Sequence, residues 1–311
     1  MRGFLTIHLA YQPDRNSVIS HQNQSPTKPS RVLLIGAHGF IGAAIQRRLE
    51  VETIPTLALG SADINLLEPS ASERLAEMVR PDDSVVMVAA LTPDKGRDIA
   101  TLMKNLAMMQ TVCEALEKSS CAHLVYFSSD AVYDTGVSRV SEDTPASPQD
   151  LYGAMHYTRE IMARSLGKIP VLVLRPTVVY GLDDTHNSYG PNRFRRAAEK
   201  DGEITLFGGG EEMRDHIHVD DVAALTVRCL LRRSTGTLNV ATGISNSFYE
   251  VAEIAAKKFG NKIEITTTPR ANPITHRHYD VTNLIKAFPD SRFIGLEDGI
   301  ARVHKESLET A

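Results

Sequence analysis

Residues 32–42 read VLLIGAHGFIG, and the next eight, AAIQRRLE, continue as a helix. A short apolar strand meets Gly36-x-x-Gly39-x-x-Gly42, and the helix starts inside the glycine pattern. Three glycines at this spacing let a strand turn sharply, let a pyrophosphate approach the backbone, and let the new helix pack closely on the sheet. The amides at the helix N-terminus then face the phosphates. A glycine pattern with no context is an ordinary turn, but a strand before it and a helix after it make it a dinucleotide-binding turn. His38, Phe40 and Ile41, which lie between the glycines, belong to the expected contact set.

Outward from this turn, short apolar runs alternate with longer amphipathic segments, the pattern of a parallel sheet covered by helices. Strands are expected at Val32–Ile35, Pro55–Leu59, Ser84–Ala89, His123–Phe127 and Val171–Leu174, with helices near 40–50, 69–79, 98–118 and 151–166. The runs are rich in β-branched residues and lack strict polar alternation, so the sheet is covered on both faces. After Gly181 the rhythm loosens into a polar, Gly-rich loop, a basic helix, a short strand before the glycines at 208–210, and another helix from Asp220. This predicts a dinucleotide-binding domain over 31–180 with a return segment at about 215–242. A smaller discontinuous substrate lobe is expected over 181–214 and 243–311.

The second strand ends Leu57-Ala58-Leu59-Gly60-Ser61, with neither the carboxylate that grips both ribose hydroxyls in NAD enzymes nor an Arg. NAD and NADP therefore both remain open. Asp63-Ile64 follows, where Asp63 is placed either to accept the adenine amino group or to cap a turn.

With 311 residues, 42% of them hydrophobic, the chain can bury a sizeable core, and its length suggests about two lobes. Lys plus Arg number 34 and Asp plus Glu 38, a net charge of −4, which carries no basic signal for nucleic acid. The longest apolar run, near Val85–Leu91, is strand-sized and far short of the ~20 residues that span a bilayer. No membrane partner is expected. Three cysteines without C-x-x-C spacing fit buried thiols in a reducing compartment, and so a cytoplasmic protein. Met1–Ala10 has one Arg and an apolar stretch broken by His8, a poor secretion signal. Residues 11–30 are polar and rich in Pro, Ser and Gln, so 1–30 is expected to be a flexible tail, or the product of an upstream start codon, outside the fold.

The fourth strand ends Tyr126-Phe127-Ser128-Ser129-Asp130, and Tyr152-Gly-Ala-Met-His156 opens a helix downstream. Positions i and i+4 share a helix face, so Tyr152 and His156 point together at the crevice beyond the strand ends.

At this point the chain resembles the extended short-chain dehydrogenase/reductase family, the nucleotide-sugar epimerases, dehydratases and 4-ketoreductases. The resemblance runs from about 31 to 300, through GAHGFIG, ADINLLEP, Ala89-Ala90, Asn105, FSSDAVYD, the YxxxK position, LRPTVVYG at 174–181 and RDHIHVDD at 214–221. It implies a Rossmann-type doubly wound α/β fold, NAD or NADP as cofactor, and a nucleotide sugar as substrate. It further implies Tyr152 as general acid/base, Ser129 as hydrogen-bond partner of the reacting oxygen, Arg175 and Thr177 beside the nicotinamide, and Arg214 facing the nucleotide diphosphate. Asp130 joins Ser129 on the substrate side. A homodimer through the helix after the third strand and the Tyr152 helix is implied in the same way.

Position 156 departs from the family, which carries Lys there. A cation beside a tyrosine stabilises its phenolate, and a histidine with an ordinary pKa near 6.5 is mostly neutral at pH 7. Its help is therefore expected to fade as pH rises, while its ring still donates to a nicotinamide ribose. A non-catalytic or weakly active dinucleotide-binding module is the alternative reading. Dehydratases of the family carry Asp-Glu after the hydroxyl residue, and Asp130-Ala131 lacks the second carboxylate. That points to epimerases or 4-ketoreductases, which share a hydride step at sugar C4.

Two pairs, His216-x-His218 and His276-x-His278, have a spacing that suits a metal on an extended segment, but site-lining or solvent-facing histidines are the expectation and no metal is assigned. Arg193, Arg195 and Arg196 form a basic cluster in which Arg193, just after Gly190-Pro191, is best placed to clamp a diphosphate. Met103, Met108 and Met109 read as core or interface filler. Asp220-Asp221 reads as a helix cap.

Overall fold

The computed structural model describes residues 18–260 and 263–310. Strands and helices in chain order are β1 Ser20–His21, β2 Arg31–Ile35, α1 Phe40–Val51, β3 Thr56–Leu59, α2 Ala71–Met78, β4 Asp83–Met87, α3 Ile99–Ser119 and β5 His123–Phe127. There follow β6 Arg139–Val140, α4 Leu151–Ser165, β7 Val171–Pro176, β8 Val178–Tyr180, α5 Pro191–Asp201, β9 Glu203–Phe207, β10 Met213–His218 and α6 Val219–Arg232. The chain closes with β11 Ser234–Val240, β12 Ser245–Ser247, α7 Phe248–Lys257, β13 Glu264–Thr268, β14 His278–Tyr279, α8 Thr282–Ala287 and α9 Leu296–Thr310.

Seven strands form the main sheet in the order β1-β11-β7-β5-β4-β2-β3, parallel throughout except for β1. Successive side chains of a strand point to opposite faces, and both faces here are apolar. Val32 and Leu34 join Ile45, Leu49 and Val222 on one side. Leu33 and Ile35 join Leu75, Met109 and Leu116 on the other. This is the doubly wound arrangement expected from the continuous apolar runs. From β2 the chain goes first to β3 on one side and then to β4 on the other, so the crevice at the strand ends opens beside the glycine turn.

A separate core is built from Tyr180, Phe194, Leu206, Phe248, Val251 and Ile300. Here β9 pairs with β13, while β10 lies between β8 and β12. The return to the main sheet is made by β11, and β10 stays in its own three-stranded sheet.

The N-terminal expectation is corrected at residues 18–30; residues 1–17 lie outside the described residues. Ser20 and His21 pair antiparallel with Thr235 and Ser234. The His21 ring bonds Ser234 Oγ at 2.9 Å and the Ala287 carbonyl at 3.1 Å, with Phe288 beside it at 5.0 Å between ring centroids. A polar segment can cap a sheet edge because the pairing uses main-chain groups, which composition does not register. Asp220-Asp221 is corrected as well: the cap of α6 is His218, whose Nδ1 accepts the Asp220 amide at 3.2 Å. No helix among the described residues is long and apolar enough to cross a membrane.

Candidate active site

The glycine turn needs glycines for steric reasons that differ at each position. Gly36 has φ +94°, and a Cβ there would lie 2.7 Å from the Ala89 nitrogen. At Gly42 a Cβ would lie 2.0 Å from the Gly36 carbonyl oxygen, so helix and turn are in direct backbone contact. Gly39 is the N-cap of α1 with no side-chain cap, and its Cβ would meet only the Gly36 oxygen at 3.4 Å. The first-turn amides of α1 are thus left for a ligand. His38, between these glycines, packs its ring against Gly60, where a Cβ would stand 2.2 Å from Nδ1. A cavity of about 140 Å³ adjoins this turn, lined in part by Gly36, Gly60, Ile64 and Ala89. Asp63 Oδ2 accepts the Gly60 amide at 2.7 Å, which is the turn-capping role.

The next cavity along the crevice, about 120 Å³, is lined in part by Leu91, Asn105, Asp150, Tyr152 and Met155. Asn105 is buried and fastens the segment after β4 to α3, accepting from the Leu91 amide at 2.8 Å and donating to its carbonyl at 3.0 Å. A cleft of about 620 Å³ between α1, α6 and α9 is lined in part by His218 and by none of the expected cofactor or substrate residues.

At the end of β5 and the head of α4 the structure brings Ser129, Asp130, Tyr152 and His156 together. Asp150 caps α4 by accepting the Gly153 amide at 2.7 Å, which fixes the first turn that carries Tyr152. Burial pushes the Tyr152 hydroxyl up to about 12, reinforced by the Asp130 carboxylate and opposed by a hydrogen bond with Ser129 and by Arg159. The Tyr152 and His156 rings meet edge to face at 4.6 Å.

His156 is 3% exposed, and burial, followed by the nearby Arg159 charge, holds its pKa well below 6.5. The ring is neutral at neutral pH, and this replaces the expectation of a charge that fades as pH rises through the ordinary histidine range. Its Nδ1 lies 2.9 Å from the Tyr126 hydroxyl, which has no other hydrogen-bond partner among the described residues. Tyr126 is buried, so its proton goes to Nδ1 and the histidine hydrogen sits on Nε2. Nε2 is buried and without a protein partner. A buried donor needs an acceptor, and a ribose hydroxyl meets that need. With the glycine turn, this fits a nicotinamide dinucleotide held by Gly36–Gly42, Ala89-Ala90 and His156.

On the substrate side, Asp130 Oδ2 accepts from the Tyr279 hydroxyl at 2.7 Å. Arg214 donates to the Thr275 carbonyl and hydroxyl at 2.6 and 2.8 Å, and its pKa is lowered by burial and by Arg277. Tyr279, Tyr126, Arg159 and Arg277 carry no motif and are missed by sequence reasoning.

Other expected site residues sit elsewhere or face other partners. The Arg175 side chain is fully buried and pairs with Glu160 through two hydrogen bonds of 2.9 and 2.7 Å, its third nitrogen reaching the Tyr133 hydroxyl at 2.9 Å. It ties β7 to α4, its guanidinium engaged by these protein partners. Ser128 Oγ donates to the same Glu160 at 2.5 Å. Removing one member of a buried pair strands the other charge. Glu160→Ala is expected to cost about 3–5 kcal/mol of stability, measured by urea unfolding; a loss under about 1 kcal/mol would contradict this role. Thr177 is buried and donates to the Asp215 carbonyl at 3.0 Å. Arg195 is buried on Glu199 and Ser307, and Arg196 braces the loop before α5 at Asp184 and Asn187. Arg193 alone of that cluster is exposed, with its guanidinium 5.7 Å from the Tyr189 ring centroid. His216 and His218 are buried, and burial lowers both pKa values, that of His216 to about 3.

Comparison with known proteins places the chain in a family. The model of the NAD dependent epimerase/dehydratase family matches residues 32–241. GDP-L-fucose synthase of Escherichia coli (strain K12) is 24% identical, with 90% of this chain and 97% of that protein covered. UDP-glucose 4-epimerase of Mycolicibacterium smegmatis is 27% identical, with 88% and 96% covered. Among solved structures, a GDP-L-fucose synthetase from Naegleria fowleri superposes with a TM-score of 0.81 at 17% identity, over 94% of this chain and 97% of that one. The chain belongs to the NAD dependent epimerase/dehydratase family of extended short-chain dehydrogenases/reductases, and its cofactor is NAD or NADP.

Proposed function

We propose that this protein is an NAD(P)-dependent nucleotide-sugar epimerase or 4-ketoreductase that uses Tyr152 to move a proton at the C4 oxygen. The observation that carries this reading is the Tyr152 ring, set edge to face on His156 at 4.6 Å, with Ser129 and Asp130 at the end of β5 bearing on its hydroxyl and the His156 Nε2 left without a protein partner. The bound dinucleotide supplies the hydride acceptor or donor. Ser129 orients the C4 oxygen and Tyr152 holds or releases its proton. His156 Nε2–H donates to the nicotinamide ribose, while the α1 amides and Gly39 receive the pyrophosphate, with Asp63 at the adenine end. Burial and the Asp130 carboxylate keep the Tyr152 hydroxyl protonated, so it has a proton to give to the C4 oxygen of a 4-keto sugar. Asp130 is followed by Ala131, so the dehydratase's second carboxylate is missing. Arg214 and the exposed Arg193 are the cations proposed to meet the diphosphate.

The neutral His156 supports a second reading, a dinucleotide-binding module with little turnover. The test is a panel of UDP-glucose, GDP-L-fucose, GDP-6-deoxy-D-talose, dTDP-L-rhamnose and their 4-keto forms with NAD(H) or NADP(H), followed at 340 nm. Net oxidation or reduction identifies a reductase, inverted product without net redox change an epimerase, and tight cofactor binding with neither outcome overturns the enzyme reading. We also propose a homodimer through α3 and α4, where Ile99 is 69% and Met103 56% exposed. Light scattering is expected to give twice the chain mass, and Met103→Glu to give the monomer.

A further inference from the structure

The environment of α4 contains a buried charge that the chemistry above does not use. Tyr152, His156 and Arg159 fall at i, i+4 and i+7, one face of the helix. Arg159 is fully buried. Its guanidinium folds back along the helix, donating to Met155 Sδ at 3.8 Å and to the Ala89 carbonyl at 2.9 Å. It lies 5.2 Å from the centroid of the Tyr126 ring, whose hydroxyl bonds His156, and its Nε is buried without a partner. Among the described residues no carboxylate comes within the 4.0 Å that defines an ion pair with Arg159. The contrast with Arg175 is direct, since that equally buried arginine is paired with Glu160 at 2.7 Å.

A buried cation without a counter-charge is costly, and it stabilises whichever neighbour turns negative. An arginine keeps its charge at any pH a protein tolerates, whereas His156 is neutral. Tyr126 keeps its proton because burial pushes its pKa up. The Cys113 thiol on α3 also feels this charge, but burial pushes it up to about 11 and it donates to the Met162 carbonyl; Tyr152 is the neighbour that becomes a phenolate whenever it gives its proton to a substrate. The groups that bear on Tyr152 are Ser129 and Asp130 from the end of β5, and Asp150, His156 and Arg159 from α4 itself. Asp130 and Asp150 oppose the phenolate, and Arg159 favours it.

Resting on the reading of Tyr152 as the proton-transfer group, we propose that two tasks are divided between two side chains of α4. The neutral His156 Nε2–H serves as the hydrogen-bond donor to the dinucleotide, and Arg159, a positioning residue one turn deeper, supplies the positive charge that stabilises the Tyr152 phenolate. A cation lost from one position of the helix face is thus carried at another, behind the Tyr126 ring.

The test reads the phenolate without any substrate. A stopped-flow jump to alkaline pH is followed at 295 nm, and the trace of the matching Tyr152→Phe chain is subtracted in each background. Arg159→Lys is expected to match the wild type. Arg159→Met is expected to carry about tenfold less Tyr152 phenolate at the same end point, a shift of about one pH unit. His156→Lys combined with Arg159→Met is expected to restore the wild-type amount, because the charge returns from the other position. A purely structural Arg159 would not be rescued in this way. Should Arg159→Met fail to fold, Arg159→Gln keeps a donor for the Ala89 carbonyl without the charge and replaces it in both comparisons. In turnover of a 4-keto sugar with NADPH, the uncharged variant should lose about 10- to 100-fold in kcat while NADPH affinity stays within about threefold. Unchanged phenolate in the uncharged variant, or a folded double variant without rescue, overturns the proposal. Full activity of Tyr152→Phe overturns the underlying reading of Tyr152 instead, and leaves the phenolate comparison between backgrounds still measurable.

Discussion

Tyr152→Phe is expected to lower kcat by about 10²- to 10⁴-fold, the usual worth of a positioned acid or base, with NADH or NADPH affinity within about threefold of the wild type. The substitution removes one oxygen and leaves the ring edge against His156, so the α4 surface facing the dinucleotide is preserved. Fluorescence titration and turnover at 340 nm measure the two quantities separately. The pH profile follows from the same geometry. Burial holds the Tyr152 hydroxyl near 12, so it remains a proton donor from pH 5 to 10, and the reductive rate should be level over that range as far as Tyr152 sets it. In the oxidative direction the phenolate is the reactive form, and the rate should climb about tenfold per pH unit. Because His156 is already neutral, no inflection near pH 6.5 is expected from it. A step there that vanishes in His156→Gln would contradict the neutral ring.

Gly42→Ala is expected to abolish dinucleotide binding, weakening it by more than about 100-fold, and to destabilise the fold by about 1–3 kcal/mol, the usual range for overpacking a tight site. The new methyl would stand 2.0 Å from the Gly36 carbonyl oxygen. Backbone on both sides leaves no flexible side chain to move aside, so the turn must separate from α1. Gly39→Ala is the informative control, since its Cβ meets only the Gly36 oxygen at 3.4 Å. That variant should unfold at the wild-type temperature and still lose dinucleotide affinity, because its methyl projects where the pyrophosphate approaches. Normal NADH binding by either variant would remove the glycine turn from the cofactor site.

The main sheet was legible because each strand is a continuous apolar run and each covering helix a periodic one, so both faces could be read from local sequence. Tyr152 and His156 were placed together by helix spacing, which needs no tertiary information. What escaped lies in contacts between distant segments. The Tyr126–His156 bond that sets the tautomer joins residues thirty positions apart, and Tyr279 reaches Asp130 across 149. The Arg175–Glu160 pair joins β7 to α4, and the motif position of Arg175 carries no sign of that partner. At Asp63 local sequence suffices for one of its two readings, since the Gly60 amide three residues back engages its carboxylate. Residues 18–30 were read as tail because composition registers side chains, and their edge pairing with β11 uses the backbone.

In the proposed reaction hydride leaves or enters the sugar at C4 while Tyr152 handles the proton on the C4 oxygen. The most direct measurement follows deuterium placed at C4 of the panel sugar in its alcohol form, with the protein run in the oxidative or epimerising direction. Deuterium recovered on the reduced dinucleotide after net oxidation, or retained at C4 of the inverted sugar after epimerisation, is the predicted result. Deuterium released into water, or conversion with the C4 label untouched and the C4 configuration unchanged, would contradict the account.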